Sequence, residues 1–296
     1  MNSQSLTNQI SAPEIVIAPG IYDAFSGAMV ERAGFSTAYL SGANIAYSRF
    51  GRPDIGLVSM SEVAETLSNI RERIDIPIIV DGDTGFGNAL NVQRTVRLFE
   101  RCGVNAIQLE DQAMPKRCGH LTGKTLVSVG EAVGKLHAAV DSRASDQTLI
   151  IARTDAIAVE GFECALDRAE EYLEAGADVL FVEAPQDRHQ MQAIVARFAD
   201  RVPLLANMVE GGSTPMQTAG DLQALGYALV IFPGGLVRAR ARMEQDYFAS
   251  LKKHGWNRPY SERMLNLTEL NELLGTQEIL QTGERYDGKN FGDEND

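Results

Sequence analysis

A repeated phrase in the chain constrains the fold more than any other sequence feature. The phrase joins a polar helix end, a glycine and an apolar run, and it occurs at 31–40 (ERAGFSTAYL), 100–109 (ERCGVNAIQL), 173–182 (LEAGADVLFV) and 223–232 (QALGYALVIF). A glycine after a helix indicates a left-handed C-terminal stop, and an unbroken apolar run indicates a strand that is buried on both faces. The phrase is therefore typical of the helix-to-strand joint of a recurring βα unit.

Further apolar runs complete a set of eight predicted strands. These strands are at about 15–18, 37–40, 77–81, 105–109, 148–152, 178–182, 203–206 and 228–232, with helical patterns between them. Eight alternating units in about 250 residues favour a closed (β/α)8 TIM barrel, and a doubly wound open sheet is the alternative. We treat residues 1–296 as a single barrel domain with extra C-terminal helices at about 256–285, followed by an acidic polar tail that we expect to be disordered.

The composition excludes several classes of function. The net charge of −13 over 296 residues argues against binding to nucleic acid or to an anionic membrane surface. No segment approaches the run of about 18 apolar residues that a membrane span needs, and the N-terminus lacks the pattern of a secretory signal. The three cysteines are too few and too scattered for a disulfide framework, so we expect a cytoplasmic protein.

Polar side chains follow most of the predicted strands, at the point where each strand ends. They are Ser41, Asp81, Asp83, Glu110, Asp111, Arg153, Asp155, Glu183, Asn207 and Glu210. A single one of them could be a helix cap or part of a surface ion pair, but stability alone does not explain so many acids together. Since the chemistry of such barrels lies at the carboxyl ends of the strands, we expect the active site there.

Three of these carboxylates predict a metal site. Alternation along the strand places Asp81 and Asp83 on the same side, next to Glu110 on the neighbouring strand. Converging carboxylates repel one another unless a cation lies among them, and oxygen ligands without histidine indicate Mg²⁺ or Mn²⁺ rather than zinc. The alternative is that these acids are N-caps of the following helices.

Arg153 follows the fifth predicted strand and has two interpretations. It could bind a substrate carboxylate through both guanidinium nitrogens, or it could form a buried ion pair with the acids of the neighbouring strand ends. Asp111 and Asp155 are interpreted as supporting or capping residues rather than metal ligands.

Cys118 differs from the other cysteines in its surroundings. It lies between strands in a segment that is rich in cations, namely Lys116, Arg117, His120 and Lys124. Neighbouring cations lower the pKa of a thiol, so we interpret Cys118 as an acid/base group on a loop that closes over the barrel. An inert thiol and a zinc ligand are the alternatives. Cys102 and Cys164 occupy apolar helix positions and are predicted to lie in the core.

With these residues identified, the sequence resembles the isocitrate lyase and phosphoenolpyruvate mutase superfamily over nearly its whole length. The resemblance rests on APGIYDAFSG (18–27), YLSGA (39–43), RPDIG (52–56), VDGDTGFGN (80–88), LEDQ (109–112), PKRCGHL (115–121), IARTDA (151–156) and ANMVEGGSTP (206–215). The KRCGH motif is typical of the branch that cleaves carbon–carbon bonds, and carboxyphosphonoenolpyruvate mutases are similar there.

The resemblance implies a role for each candidate site residue. Mg²⁺, with Mn²⁺ as a substitute, would be bound by Asp81 and Asp83, with Glu110 and Asp54 linked to it through water. The implied catalytic residues are Cys118 as acid/base, Arg153 beside the enolate and Tyr39 near the reacting centre. The implied substrate-binding residues are Ser41, Gly42, Ala43, Gly119, His120, Glu183, Asn207 and Arg238.

The resemblance also implies a reaction, namely cleavage of an alkylated 2-hydroxy dicarboxylate of the 2,3-dimethylmalate type to pyruvate and a short acid such as propionate. Leu267 stands where methylisocitrate lyases carry an arginine for a third carboxylate, which favours the smaller substrate because an unpaired buried charge is costly. Arg238 favours the alternative, 2-methylisocitrate cleavage to pyruvate and succinate. A phosphonomutase, an oxaloacetate decarboxylase and a non-catalytic dicarboxylate-binding scaffold are further alternatives. The relatives form homotetramers that exchange a C-terminal helix, and we expect the same here.

Overall fold

The structure, a computed structural model, describes residues 5–119 and 123–291. Its eight strands are β1 (Val16–Ile21), β2 (Ala38–Leu40), β3 (Ile78–Asp81), β4 (Ala106–Glu110), β5 (Leu149–Thr154), β6 (Val179–Val182), β7 (Leu205–Asn207) and β8 (Leu229–Phe232). They form one sheet with the order β6-β5-β4-β3-β2-β1-β8-β7, in which every pair is parallel.

Two pairings curl this sheet into a nearly closed barrel. The first strand pairs with the last, with Val16 aligned to Leu229. The two ends of the strand order then meet through a parallel bridge between Leu180 and Leu204. An open doubly wound sheet has neither pairing, so the prediction of a (β/α)8 barrel is confirmed.

Helices connect and follow the strands. They are α1 (Leu6–Ile10), α2 (Ala24–Arg32), α3 (Gly42–Phe50), α4 (Met60–Arg71), α5 (Ala89–Arg101), α6 (Val129–Ser142), α7 (Phe162–Glu174), α8 (Arg188–Phe198), α9 (Ala219–Leu225), α10 (Gly235–His254), α11 (Leu267–Leu274) and α12 (Thr276–Arg285). Short 3₁₀ turns occur at Ala156–Ala158, Arg258–Arg263 and Gly288–Phe291. Within the described ranges, no helix has the length and apolar character that crossing a membrane requires.

The chain divides into two compact units, one ending at Arg238 and one beginning at Ala239. The first contains all eight strands. The second contains most of α10 together with α11 and α12, so the predicted extra C-terminal helices are present. Residues 292–296 of the predicted polar tail lie outside the described part of the chain.

The glycines of the repeated phrase end helices as predicted. Gly34, Gly103, Gly176 and Gly226 have φ angles of 85°, 83°, 94° and 114°, in the left-handed region. A residue with a Cβ is strained in this region, whereas glycine is not. Each glycine therefore lets the chain leave its helix and enter the next strand within a few residues.

Two apolar clusters form on the two faces of the strands. One fills the barrel interior and includes Ile79, Ile151 and Phe181. The larger cluster lies between the strands and the surrounding helices. Cys102 packs partly buried against this larger cluster. The prediction of a core position was wrong for Cys164, which is exposed because the buried stripe of α7 begins one residue later.

Two glycine-to-alanine substitutions test the closure of the barrel. A Cβ at Gly20 would overlap the Pro233 carbonyl oxygen, at the junction of β1 and β8. We expect Gly20→Ala to lower the free energy of unfolding by about 1–3 kcal/mol, since the backbone must shift. A Cβ at Gly134, inside α6, meets nothing within 4 Å. Gly134→Ala should raise the free energy of unfolding by about 0.5–1 kcal/mol, because alanine is the better helix former. Urea unfolding measures both, and equal effects would contradict the close approach at Gly20.

Candidate active site

A cavity of about 60 Å³ opens at the carboxyl ends of the strands. Space of this size holds a few water-sized groups, which suits a small acid better than a nucleotide. Its walls contain many of the predicted site residues, namely Tyr39, Ser41, Ala43, Asp54, Asp81, Glu110, Cys118, Gly119, Arg153 and Asn207. The strand ends therefore bring together residues that are far apart in the sequence.

One wall of the cavity is the first turn of α3. Ser41 is the N-cap of this helix, and its Oγ accepts a hydrogen bond from the backbone N–H of Asn44 at 3.3 Å. The N–H groups of Gly42 and Ala43 belong to the first turn, where no helix carbonyl is available to them. This turn presents N–H groups and the positive end of a helix dipole, which favour an anion.

Asp81 and Asp83 converge, but not through strand alternation. The strand ends at Asp81, and Asp83 lies in a turn with a φ of 46°, so the alternation argument for Asp83 was wrong. Both carboxylates face α3, because a Cβ on Gly42 would lie 3.4 Å from Asp81 Oδ2 and 3.5 Å from Asp83 Oδ1. The N-cap of the following helix is Asn88, so neither acid is the cap of that helix.

Lys116 supplies positive charge to these acids. Its side chain is 4% exposed, and its Nζ lies 2.7 Å from Asp54 Oδ1 and 2.6 Å from Asp83 Oδ1. Burial, opposed by Lys116 and reinforced by Asp81 and Asp54, raises the pKa of Asp83 to about 7. The sequence interpretation treated Lys116 only as a neighbour of the thiol. The excess of strand-end acids was the available signal that a buried cation was needed.

The acids remain short of positive charge. Glu110 Oε1 is buried and has no hydrogen-bond partner among the described residues. Burial raises the pKa of Glu110 well above its ordinary value, although Arg153 opposes this. In the described ranges, no group of three or more histidine, cysteine, aspartate or glutamate side chains is arranged so that it could hold a metal ion. The buried oxygen donors nevertheless match the preference of a hard divalent cation.

Arg153 lies in the cavity wall and forms the ion pairs that the sequence left open. Its Nε and Nη2 donate to Asp155 at 2.9 and 3.0 Å. Glu110 and Glu183 lie farther from the guanidinium, at 3.4 and 3.6 Å. The guanidinium also stacks 5.1 Å from the centre of the Phe181 ring. These contacts fix the arginine at the edge of the cavity, so both interpretations of Arg153 are compatible.

Tyr39 belongs to a hydrogen-bonded chain that the sequence reading missed in part. Its hydroxyl donates to Gln108 Oε1 at 3.0 Å, and Gln108 Nε2 donates to Asp81 Oδ1 at 3.3 Å. Burial, and next Asp81, raise the pKa of Tyr39 well above its ordinary value, so the phenol stays protonated. A polar residue inside the apolar run of β4 was the signal that could have identified Gln108.

The Cys118 segment crosses the cavity. Cys118 is half-buried, and its backbone N–H donates to the Asp54 carbonyl at 3.3 Å. A Cβ on Gly119 would overlap Arg153 and would lie 2.9 Å from Glu183 Cγ, so the segment packs directly on both side chains. Asn207 Nδ2 donates to Glu183 Oε2 at 3.0 Å. The predicted His120 lies outside the described residues.

Arg238 follows β8 and forms a partly exposed ion pair. Its guanidinium pairs with Glu210, and the two side chains are 45% and 53% exposed. Arg238 is not among the residues that line the cavity.

The sequence has close relatives of known name. Residues 7–252 match the phosphoenolpyruvate phosphomutase family. The chain is 41% identical over 279 residues to 2,3-dimethylmalate lyase of Eubacterium barkeri, covering 94% of this chain and 95% of the relative. It is 44% identical over 270 residues to 2-methylisocitrate lyase of Aeropyrum pernix, covering 91% of this chain and 86% of the relative.

Solved structures have the same fold. A crystal structure of 2,3-dimethylmalate lyase, described as a PEP mutase/isocitrate lyase superfamily member, matches with a TM-score of 0.90 and 32% identity, covering 100% of this chain and 99% of that one. A phosphonopyruvate hydrolase in complex with oxalate and Mg²⁺ matches with a TM-score of 0.86 and 30% identity, covering 96% and 98%.

The Arg153–Asp155 pair predicts a specific dependence of stability on pH. Burial alone would raise the pKa of Asp155, but Arg153 and Lys124 lower it to about 2. A carboxylate with a lowered pKa stabilises the fold above its unfolded pKa, and this stabilisation is lost as the pH falls. Between pH 6 and pH 3, urea unfolding should show wild type losing about 1 kcal/mol more stability than Asp155→Asn. Parallel losses would contradict the assigned pKa.

Proposed function

Because the chain belongs to the phosphoenolpyruvate mutase/isocitrate lyase superfamily, we propose that it is a Mg²⁺-dependent carbon–carbon lyase for an alkylated 2-hydroxy dicarboxylate. The products would be pyruvate and a short acid such as propionate, as for a 2,3-dimethylmalate substrate. One observation carries the proposal: Cys118 and Arg153 line the same cavity as the first turn of α3 and the acids of β3 and β4.

The acids at the strand ends fit the metal in chemical type. Asp81 and Asp83 would hold Mg²⁺, with Glu110 and Asp54 linked to it through water, and the unpartnered Glu110 Oε1 supports this assignment. Mn²⁺ would substitute, since it accepts the same oxygen donors. When bound, the metal would supply Lewis-acid polarisation of the substrate oxygens.

The pyruvate-forming half of the substrate would lie between α3 and Arg153. The N–H groups of Gly42 and Ala43, with the Ser41 side chain, would bind its carboxylate. Arg153 would stabilise the negative charge that develops on the neighbouring oxygen, because its guanidinium is already oriented by Asp155. Tyr39 would donate no proton at neutral pH and would instead shape the cavity wall beside the reacting carbon.

The cleavage step balances with Cys118 as the proton donor. The 2-hydroxyl of the substrate would release its proton to solvent, from which the Cys118 thiolate regains a proton after turnover, and the hydroxyl oxygen becomes the carbonyl of pyruvate while the adjacent carbon–carbon bond breaks. The electron pair of that bond stays on the carbon of the second acid, and the Cys118 thiol protonates it. Gly119, His120, Glu183 and Asn207 would hold the second acid, and the hydrogen bond between Asn207 and Glu183 supports the pairing of these two residues.

The size of the second acid separates two candidate substrates. A third carboxylate, as in 2-methylisocitrate, needs a cation of its own. Arg238 is paired with Glu210, and Leu267 offers no charge, so the smaller 2,3-dimethylmalate type is favoured. The 2-methylisocitrate alternative is supported by the 44% identity to a lyase of that name and by the presence of Arg238.

We propose a cytoplasmic homotetramer, and the surface of the second compact unit supports association between copies of the chain. Large apolar side chains of this unit are exposed, including Phe248 (61%), Trp256 (55%), Leu267 (78%) and Ile279 (64%). Exposed apolar surface of this extent favours contact with another copy of the chain, in keeping with the helix exchange that the superfamily resemblance implies.

Replacement of Cys118 tests its role as proton donor. We expect Cys118→Ser to lower kcat by about 10²–10⁴-fold, the usual contribution of a general acid, while Mg²⁺ binding measured by calorimetry is unchanged. Cys164→Ser is the matched control, because Cys164 is exposed on α7, and it should retain full turnover. Near-normal turnover of Cys118→Ser would remove this cysteine from the mechanism.

A substrate panel tests the reaction class and the substrate together. We expect Mg²⁺-dependent release of pyruvate from 2,3-dimethylmalate, with kcat/KM at least about tenfold above that for 2-methylisocitrate, since one unpaired buried charge costs more than 1.4 kcal/mol. Turnover of oxaloacetate tests the decarboxylase alternative. Phosphorus NMR with phosphonopyruvate tests the phosphonomutase alternative. Preferred turnover of 2-methylisocitrate would establish the alternative, and no turnover of any compound would indicate a binding scaffold.

A further inference from the structure

Lys124 is a buried cation to which the proposed reaction gives no role. Its side chain is 1% exposed, and its Nζ donates to Asp155 Oδ1 at 2.8 Å. The same ammonium donates to the carbonyl oxygen of Gly119. A buried ammonium is stable only where acceptors are held around it, so both contacts are structurally required.

Asp155 links Lys124 to Arg153, which lines the cavity. Its carboxylate accepts hydrogen bonds from Nε and Nη2 of Arg153 at 2.9 and 3.0 Å. Its backbone N–H donates to Asp111 Oδ1 at 2.9 Å, and Tyr172 OH donates to the other oxygen of Asp111 at 2.8 Å. Asp155 is therefore fixed from behind by the barrel wall and α7, and it is a rigid anchor for the two cations.

Gly119, the other partner of Lys124, is next to Cys118 in the chain. It packs so closely against Arg153 and Glu183 that a Cβ at position 119 would not fit. When the Gly119 carbonyl is held in place, the backbone that carries the Cys118 side chain is restricted as well. The Lys124 ammonium thus has two partners, Gly119 and Asp155. Gly119 is the chain neighbour of Cys118, and Asp155 is the ion-pair partner of Arg153.

We propose that Lys124 is a positioning residue, which binds the Gly119 carbonyl to the Asp155 carboxylate and so sets Cys118 and Arg153 at a fixed separation across the cavity. The inference rests on the proposed lyase function for the identity of the reacting groups. Lys124 itself touches neither the cavity nor any reacting atom. Its loss leaves both groups present but no longer held in one geometry, and small misplacements of reacting groups are costly.

Lys124→Met removes the ammonium and keeps an apolar chain of similar length. We expect kcat to fall by about 10²-fold while KM changes by less than about threefold, because positioning acts on the reacting geometry rather than on substrate affinity. In Cys118→Ser protein, which has no thiol to position but still has Arg153, Lys124→Met should lower the residual rate by less than about tenfold, a smaller loss than in the wild-type background. Lys124→Gln keeps one donor for the Gly119 carbonyl and should give an intermediate loss, and it replaces the methionine variant if that variant does not fold.

Amide hydrogen exchange provides a readout that needs no substrate. In wild type, the backbone N–H groups of Ala113 and Cys118 donate to Thr125 O at 2.8 Å and to Asp54 O at 3.3 Å. We expect exchange in segment 112–119 to become at least about tenfold faster in Lys124→Met, because the segment loses its anchor. Arg143→Met is the matched control, since Arg143, at the end of α6, pairs at 2.6 Å with Asp178, which precedes β6, and its side chain is 17% exposed. It should lower stability and leave both kcat and the exchange of 112–119 unchanged.

The outcomes separate this proposal from the proposed function. Unchanged exchange in 112–119, a raised KM with normal kcat, or an equal loss of rate in the Cys118→Ser background would each overturn the positioning role. If wild type converts none of the panel acids, the lyase function is wrong, and the exchange experiment still decides whether Lys124 holds the Cys118 segment.

Discussion

The burial of several carboxylates at one end of the barrel is the constraint on which the site depends. Asp54, Asp81, Asp83, Glu110, Asp155 and Glu183 are each less than 9% exposed. A buried carboxylate without compensation costs several kcal/mol, so every one of these acids requires cations or donors nearby. Lys116 and Arg153 supply part of that charge, and the Glu110 oxygen that has no hydrogen-bond partner in the described part of the chain marks where it is incomplete. The proposed divalent cation would complete this balance.

The same burial divides the site into two halves that meet at one backbone segment. Lys116 attaches the segment to the acids that are the proposed metal ligands, through Asp54 and Asp83. Gly119 and Lys124 attach it to the arginine half, through Asp155. Cys118 lies between these two attachments. Under the proposed function, a thiol held in this way would lie close to both halves of the substrate, as proton delivery after bond cleavage requires.

Most of the fold was predictable because it depends on local patterns. The repeated helix–glycine–strand phrase identified four strands and further apolar runs identified the other four, and each observed strand overlaps its predicted range. The strand-end residues followed from the same register. The sequence could not identify Lys116 or Lys124 as ion-pair partners, because a cation's partner is set by tertiary approach rather than by spacing. It misjudged Asp83 because a left-handed turn replaces the strand there, and Cys164 because one residue decides which side of α7 faces the core.

A crystal structure with Mg²⁺ and pyruvate tests the central claim most directly, since the claim is that one cluster of strand-end residues holds both. The account predicts an ion at Asp81 and Asp83, with the pyruvate carboxylate against the first turn of α3 and Arg153 beside its oxo group. An ion bound elsewhere, or pyruvate bound away from Arg153 and α3, would contradict the account.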